Sequence, residues 1–334
     1  MRQESSATPT ATIAPSTLPN FHDVLRARAR IAPYLPRTLL IHYPALDELL
    51  GATVYVKHEN TQPVGAFKVR GGLNFMAQLA PEERKRGVIT ASTGNHALSI
   101  AYAAHVFGVP AQVVMPQGAN PNKVAAVRAL GTEVILTGEN FDAARAHAEH
   151  LAGQHGSRYV SPVDPQLIAG VATETLEMLE DQPDLTAIFV PVGSGTGAVG
   201  ACIVAETVSP GLAVIAVQSQ AAPAAQHSWR DGVVRSAPVR TFAEGVATGV
   251  GFEFTQQRLR TSLRDFLLVS DEEIRCAMRL LVTHAHTLAE GAGAASLAAA
   301  MQQRDRFRGQ KVGVVLSGGN VEVEHLRRAL GGEA

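Results

Sequence analysis

The segment KHENTQPVGAFKVRGG, Lys57–Gly72, contains a lysine in a setting that suits covalent chemistry. Lys68 follows two small residues and Phe67 and precedes a helical pattern, so its amine can be held partly away from water. Loss of water disfavours the ammonium form and lowers the pKa of an amine, which makes it a better nucleophile. Most lysines instead lie on the surface, where the aliphatic stem covers apolar area. Taken alone, Lys68 leaves both interpretations open.

Three glycine-bearing turns follow predicted strands. They are ASTGNH (Ala91–His96), GSGTG (Gly193–Gly197) and SGGN (Ser317–Asn320). The first two also begin helix-like segments, where free backbone N–H groups and the helix dipole favour a carboxylate or a phosphate. A hydroxyl at the carboxyl end of a parallel strand, such as that of Ser317, is well placed to meet a ligand. Each string by itself is also compatible with a simple capped turn.

A dinucleotide site is the alternative use of the second turn. Gly195, Gly197 and Gly200 satisfy the pattern G-x-G-x-x-G. Such a site needs an Asp or Glu for the ribose about 20 residues further on, after the next strand. That strand, AVIAVQ, ends at Gln218, so GSGTG is interpreted as a phosphate-binding turn.

Short β-branched runs alternate with longer segments of helical periodicity along the chain. The strand candidates are TVYVKHE, GVITAS, AQVVMP, EVILTG, AIFVPVG, AVIAVQ, FLLVSD and KVGVVLSG. This alternation predicts an α/β protein with a largely parallel sheet. Gly108 and Gly131 stand where a helix would end in a left-handed residue, and Asp271 begins an acidic helix start.

Composition excludes several classes of function. Of 334 residues, 29 are Lys or Arg and 30 are Asp or Glu, which gives a net charge of −1. Such a chain has no electrostatic reason to bind nucleic acid or an anionic membrane. The most apolar stretch, Ala97–Met115, is interrupted by polar residues and Pro110, and the polar N-terminus lacks the apolar region of a signal peptide. We therefore expect a cytoplasmic protein.

The two cysteines predict the same compartment. Cys202 and Cys276 each lie in an apolar, helix-like run and have no nearby cysteine or histidine partner. Both are expected to be inert core residues in a reducing environment.

The four motifs together resemble fold type II pyridoxal-phosphate enzymes of the serine/threonine dehydratase family. Lys57–Gly72 matches the family pattern K-x-E-x-x-Q-x-x-[SG]-[SA]-F-K-x-R-G, and the three turns follow in the family's order. The resemblance covers the chain from about Leu18 onward. It implies two domains with open, mostly parallel twisted sheets and helices on both faces, as in the tryptophan synthase β chain.

The resemblance also implies how the chain is divided. A large cofactor-binding domain would comprise residues 18–58 and 151–330, and a small substrate-binding domain residues 59–150. Residues 1–17 would form a disordered arm. We expect no C-terminal regulatory domain, and a homodimer or homotetramer.

Site roles follow by the same resemblance. Lys68 would bind pyridoxal 5'-phosphate covalently, Phe67 would pack on its ring, Asn95 would bond its phenolic oxygen, and Ser317 would meet its pyridine nitrogen. The phosphate would be held by Gly193, Ser194, Gly195, Thr196 and Gly197. The substrate carboxylate would be bound by Ser92, Thr93, Gly94, Asn95 and His96. Lys68 and Thr93 are the predicted catalytic residues. Glu290 is a candidate supporting acid, and Arg70 and Glu59 are expected to hold structure.

The chain departs from the family pattern at informative positions. Some members, serine racemases among them, bind a divalent cation through a Glu and an Asp six residues further on, and the matching residues here are Gln218 and Ala224. Hard cations prefer carboxylate oxygens, so we expect no metal. Thr93 stands where racemases have a serine opposite the lysine, which disfavours racemisation.

The predicted reaction is dehydration of a β-hydroxy amino acid. Lys68 would remove the α-proton and the β-hydroxyl would leave, which gives a 2-oxo acid and ammonia from L-threonine or L-serine. Rivals within the fold are dehydratases for phenylserine or 3-hydroxyaspartate, a serine racemase, and a β-replacing synthase. From other classes, a nicotinamide-dependent oxidoreductase and a non-catalytic amino-acid-binding protein remain.

Overall fold

Two mostly parallel sheets organise the computed structural model, which describes residues 17–331. The larger has the strand order β1-β2-β10-β7-β8-β9, and the smaller has the order β5-β4-β3-β6. The strands are β1 (Leu40–His42), β2 (Thr53–His58), β3 (Val88–Ala91), β4 (Ala111–Met115), β5 (Glu133–Leu136), β6 (Arg158–Tyr159), β7 (Ala187–Pro191), β8 (Ala213–Ser219), β9 (Asp265–Val269) and β10 (Lys311–Leu316). All pairings between these strands are parallel except that of β1 with β2.

Helices connect the strands and cover the sheets. They are α1 (Phe21–Ile31), α2 (Pro44–Leu50), α3 (Lys68–Ala77), α4 (Pro81–Arg86), α5 (Asn95–Phe107), α6 (Pro121–Ala129), α7 (Phe141–His155), α8 (Pro165–Val171), α9 (Thr173–Asp181), α10 (Thr196–Val208), α11 (Ala224–Asp231), α12 (Glu253–Ser262), α13 (Asp271–His284), α14 (Gly291–Gln302) and α15 (Val323–Ala329), with 3₁₀ turns at Glu59–Thr61 and Glu244–Val246. In the part of the chain that is described, none of these helices is long and apolar enough to cross a bilayer.

Helices bury both faces of each sheet. Every residue of β7 is buried, which explains its unbroken apolar sequence AIFVP. In the small sheet, Val113 packs with Ala97 of α5 on one face, whereas Ile89 packs with Ala144 of α7 on the other. The predicted α/β architecture is thus confirmed.

The predicted helix ends also agree with the structure. Gly108 ends α5 in the left-handed region at φ 63°, and Gly131 has φ 78° just after α6. The acidic start at Asp271 is the first residue of α13, and Ser270 before it forms a capping box with Glu273.

Several details differ from the sequence-based expectations. β1 and β6 were not among the predicted strands, because runs of three and two residues carry no clear periodicity. The predicted boundary at residue 150 falls inside α7, and the small sheet continues past it to β6. Cys202 is buried as expected, and burial raises the pKa of its thiol to about 12. Cys276 is only partly buried, so its placement in the core was wrong. Most of the expected N-terminal arm, residues 1–16, lies outside the described residues.

A buried ion network fixes the start of α3. The Arg70 guanidinium bonds both oxygens of Glu59 at 2.8 Å and both oxygens of Glu177 at 2.7 and 2.8 Å. Lys57 Nζ lies 2.7 Å from Glu177 and donates to the carbonyl oxygen of Thr38 at 2.8 Å. The network therefore joins α3 to β2, to the turn that follows β2, and to α9.

Charge and hydrogen bonding keep the Glu59 carboxyl ionised within this network. Burial alone would raise the pKa of the Glu59 carboxyl, but the charge and hydrogen bonds of Arg70 outweigh it and hold that pKa below its usual range. The neighbouring Glu174 is different, because burial and the negative charge of Glu59 raise its pKa well above normal. Two cations thus face two carboxylates, with Glu174 favouring its neutral form. The expectation that Arg70 and Glu59 hold structure agrees with these contacts.

Arg70→Leu is expected to lower the free energy of unfolding by about 3 to 5 kcal/mol, because two buried carboxylates would then share only Lys57. Chemical denaturation followed by circular dichroism measures this. As a control, Lys311→Met breaks an exposed ion pair with Asp184 and should lower the free energy of unfolding far less. Equal losses in the two variants would contradict a structural role for the buried network.

Candidate active site

The lysine segment and the SGGN turn pair directly with each other. The N–H of Phe67 donates to the carbonyl oxygen of Ser317 at 3.0 Å, and the N–H of Gly319 donates to that of Gly65 at 2.9 Å. Ala66 and Gly318 form the antiparallel bridge between these bonds. The first residue of α3 is therefore fixed against the carboxyl end of β10.

Lys68, the first residue of α3, points toward the GSGTG turn. Its Nζ donates to Thr196 Oγ1 at 2.8 Å and lies 3.3 Å from Ser194 Oγ. Ser99 of α5 holds the backbone by donating to the Lys68 carbonyl at 2.6 Å. Burial lowers the pKa of the Lys68 amine to about 8. The amine is thus neutral for a substantial fraction of the time near physiological pH, as a nucleophile or a base requires.

The GSGTG turn leaves donors open at the start of α10. Gly195 precedes that helix at φ 92°, and no side chain caps the first-turn N–H groups. Thr255 holds the turn by donating to the carbonyl oxygen of Ser194 at 2.8 Å. A side chain on Gly193 would overlap the carbonyl oxygen of Gly245. Open N–H groups and the hydroxyls of Ser194 and Thr196 make a donor set that fits a dianionic phosphate.

The ASTGNH turn is a second helix start of this kind. Ser92 Oγ accepts from the N–H of Gly94 at 3.2 Å, Thr93 is partly exposed, and α5 begins at Asn95 without a side-chain cap. The His96 ring lies 3.0 Å from Thr90 Oγ1. Burial and then the charge of Lys68 lower the pKa of His96 to about 3, so the ring is neutral.

The side chain of Asn95 connects this turn to α14 and to SGGN. Asn95 Nδ2 donates to Glu290 Oε1 at 2.7 Å, and Asn95 Oδ1 accepts from Asn320 at 2.8 Å. Burial raises the pKa of Glu290 to about 7, although the hydrogen bond from Asn95 opposes this. Glu290 thus meets a predicted site residue, which fits the supporting role expected for it. Sequence reasoning missed the contacts of Asn320 and Thr255.

The remaining two predicted residues lie close by. Ser317 is buried at the end of β10. The Phe67 ring lies beside Gly197, since a Cβ on that glycine would be 3.3 Å from the ring edge, and Lys68 Nζ is 5.1 Å from the ring centroid. Lys68, Phe67, Ser317 and the phosphate turn are thus brought together. Asn95 reaches them through Asn320 of the SGGN turn.

Comparison with known proteins identifies the family. The profile of the pyridoxal-phosphate dependent enzymes matches residues 31–318. The chain belongs to this family. Its cofactor is pyridoxal phosphate, and the open helix start beside a lysine of lowered pKa fits that group.

Individual relatives are similar over most of their length. An L-threonine ammonia-lyase of Thermotoga maritima is 38% identical over 310 residues, which cover 92% of this chain and 77% of that protein. An L-threo-3-hydroxyaspartate ammonia-lyase of Saccharomyces cerevisiae is 36% identical over 318 residues, 95% of this chain and 98% of that protein. The crystal structure of serine racemase from Dictyostelium discoideum superposes with a TM-score of 0.87 at 32% identity, covering 92% of this chain and 100% of that one.

The lowered pKa of Lys68 predicts the pH dependence of cofactor attachment. Only the neutral amine reacts with the aldehyde, so the rate should rise with pH through a midpoint near 8 and then level off. With an ordinary lysine, the rate would continue to rise until about pH 10. Stopped-flow absorbance of the cofactor-free protein mixed with pyridoxal phosphate measures this, with N-acetyl-lysine as the reference amine. A rate that keeps rising beyond pH 9.5 would show that the amine is not perturbed.

Gly195→Ala is expected to weaken pyridoxal-phosphate binding by at least about tenfold. The added Cβ would lie 2.9 Å from Thr255 Oγ1 at a residue with φ 92°, so the phosphate turn must shift. Gly211→Ala is the matched control, because that Cβ meets nothing within 4 Å. Equilibrium titration of the cofactor-free proteins compares them, and equal affinities would remove the turn from the phosphate site.

Proposed function

We propose that this protein is an ammonia-lyase that dehydrates L-threonine or L-serine to the 2-oxo acid and ammonia. The observation that carries the proposal is the amine of Lys68, with its pKa lowered to about 8, placed at the phosphate turn of a pyridoxal-phosphate enzyme. The similarity to an L-threonine ammonia-lyase over 92% of the chain supports this reaction type.

Lys68 Nζ is the group that moves the α-proton in this mechanism. When bound, pyridoxal phosphate supplies an aldehyde and a conjugated ring that withdraws electrons from the α-carbon of the amino acid. Before the cofactor binds, the hydroxyls of Thr196 and Ser194 hold Nζ near the start of α10 without adding a negative charge. A carboxylate at that distance would favour the ammonium and make the amine a poorer base.

The ASTGNH turn binds the substrate carboxylate in this proposal. Its open N–H groups at the start of α5 favour an anion, and Ser92 and Thr93 add hydroxyl donors. Binding there holds the α-carbon of the substrate in place for the base. Loss of the α-proton and the β-hydroxyl, followed by addition of water, releases the 2-oxo acid and ammonia.

The acidic surroundings of the site favour an uncharged substrate side chain. A cavity beside Glu290 is also lined by Glu244 and Glu322, and its cation, Lys123, is paired with Glu244 and lies 3.6 Å from Glu322. Glu290 connects this cavity to Asn95 of the ASTGNH turn, so a second carboxylate on a substrate bound at that turn would lie near these acidic groups. L-threo-3-hydroxyaspartate is nevertheless the second candidate, because the yeast relative that bears its name is 36% identical.

We also propose a cytoplasmic, homo-oligomeric enzyme. The two cysteines, Cys202 and Cys276, are both free thiols, which fits a reducing compartment.

A substrate screen tests the proposed reaction. From L-threonine or L-serine the holoenzyme should release 2-oxo acid and ammonia in equimolar amounts. Its turnover of L-threo-3-hydroxyaspartate should be at least about tenfold slower. Lys68→Ala should abolish this release together with the visible absorbance band that arises from the cofactor's bond to Lys68, because Nζ of Lys68 both binds the cofactor and acts as the base in this proposal. Lys85→Ala, on an exposed lysine of α4, is the control and should keep full activity.

Other outcomes would point elsewhere. Formation of D-serine without 2-oxo acid would identify a racemase, and faster turnover of 3-hydroxyaspartate would select the second candidate. Full turnover by Lys68→Ala would refute the assignment of the base.

A further inference from the structure

The side chain of Gln218 is wholly buried at the carboxyl end of β8, next to the phosphate turn. β8 pairs with β7 as far as Pro191, and the N–H of Val192 donates to the carbonyl oxygen of Val217 at 2.7 Å. Gln218 is therefore the residue after Val217, whose carbonyl oxygen holds Val192, the residue before Gly193.

The amide of Gln218 joins two separate elements. Its Oε1 accepts from the N–H groups of Ala225 at 3.1 Å and Gln226 at 3.0 Å, in the first turn of α11. Because those backbone donors require an oxygen, the orientation of the amide is fixed, and Nε2 must face the other way. Nε2 donates to Thr248 Oγ1 at 3.1 Å and lies 3.5 Å from the carbonyl oxygen of Val246.

The segment Gly245–Thr248 forms a wall of the phosphate turn. A Cβ built on Gly193 would overlap the carbonyl oxygen of Gly245 and would lie 3.8 Å from Thr248 Cγ2. The two backbones are thus in contact where the turn begins. A shift of this segment would change the room that the turn offers to a phosphate.

We propose that Gln218 is a positioning residue for the cofactor phosphate. Its amide, anchored on α11, holds the segment Gly245–Thr248 against Gly193 and so fixes one wall of the phosphate turn. The interaction is made by hydrogen bonds within the chain and involves a neutral group only. The proposed role of Gln218 rests on pyridoxal phosphate as the cofactor and is independent of which amino acid is the substrate.

Two ligands separate positioning of the phosphate from general stability. Pyridoxal has the aldehyde and ring of pyridoxal phosphate but no phosphate. Gln218→Met keeps the volume of the side chain and removes its four polar contacts. In titrations of the full-length, cofactor-free protein followed by visible absorbance, this variant should bind pyridoxal phosphate about tenfold more weakly. Its affinity for pyridoxal should stay within about twofold of the unsubstituted protein.

Ser228→Ala is the matched control. Its buried hydroxyl also belongs to α11 and donates to the carbonyl oxygen of Ala224 at 2.6 Å, and its other hydrogen bonds are to Arg235. Removing it should destabilise the protein while leaving the affinities for both ligands unchanged.

Two results would overturn the proposal, and a second variant covers the case in which Gln218→Met does not fold. If Gln218→Met lowers the affinities for pyridoxal phosphate and pyridoxal equally, or lowers neither affinity, Gln218 does not act on the phosphate. If that variant fails to fold, Thr248→Val removes only the acceptor on the loop side and should produce a smaller loss confined to pyridoxal phosphate. Unchanged pyridoxal-phosphate affinity in Thr248→Val would then overturn the proposal.

Discussion

The buried pairing of Arg70 with Glu59 and Glu177 is the constraint on which the site depends. It joins the first turn of α3 to the turn after β2 and to α9, and Lys68 is only two residues away on the same helix. A guanidinium that forms two bonds to each of two carboxylates allows little rotation or sliding of that turn. Because the network is removed from water, breaking one partner would leave an unpaired buried charge, so the arrangement is held strongly.

The helix also separates two electrostatic environments. Positions two apart on an α-helix are rotated by about 200°, so Lys68 and Arg70 project from nearly opposite sides of α3. On the Arg70 side, cations and carboxylates are paired in the interior. On the Lys68 side, the partners are the hydroxyls of Ser194 and Thr196. The same turn therefore carries a strongly anchored cation and an amine whose charge is disfavoured.

Much of this site could be predicted from the sequence, because its motifs are local. Each turn directly follows a strand, and two of them begin a helix. GSGTG and SGGN follow β7 and β10, which are parallel neighbours in one sheet, so their carboxyl ends meet at one edge, whereas ASTGNH follows β3 of the other sheet. Contacts between distant segments could not be predicted in the same way. The bond from Asn95 to Glu290 and the packing of Gly245 on Gly193 depend on tertiary structure. Gln218 is an example. From the sequence it is noted only because a carboxylate is expected at its position, whereas the structure shows that its amide bonds α11 and Thr248.

The glycines of the dinucleotide-like pattern show why a motif needs its structural context. Gly195 adopts φ 92° before α10, and Gly197 leaves room for the Phe67 ring, so both serve the turn. Gly200 serves a different purpose, because a Cβ there would lie 2.9 Å from the backbone of Ala172, the residue between α8 and α9 that α10 packs against. One spacing therefore combines a phosphate turn with a close helix contact. The pattern G-x-G-x-x-G arises here from two independent steric requirements, and a dinucleotide-binding function is not needed to explain it.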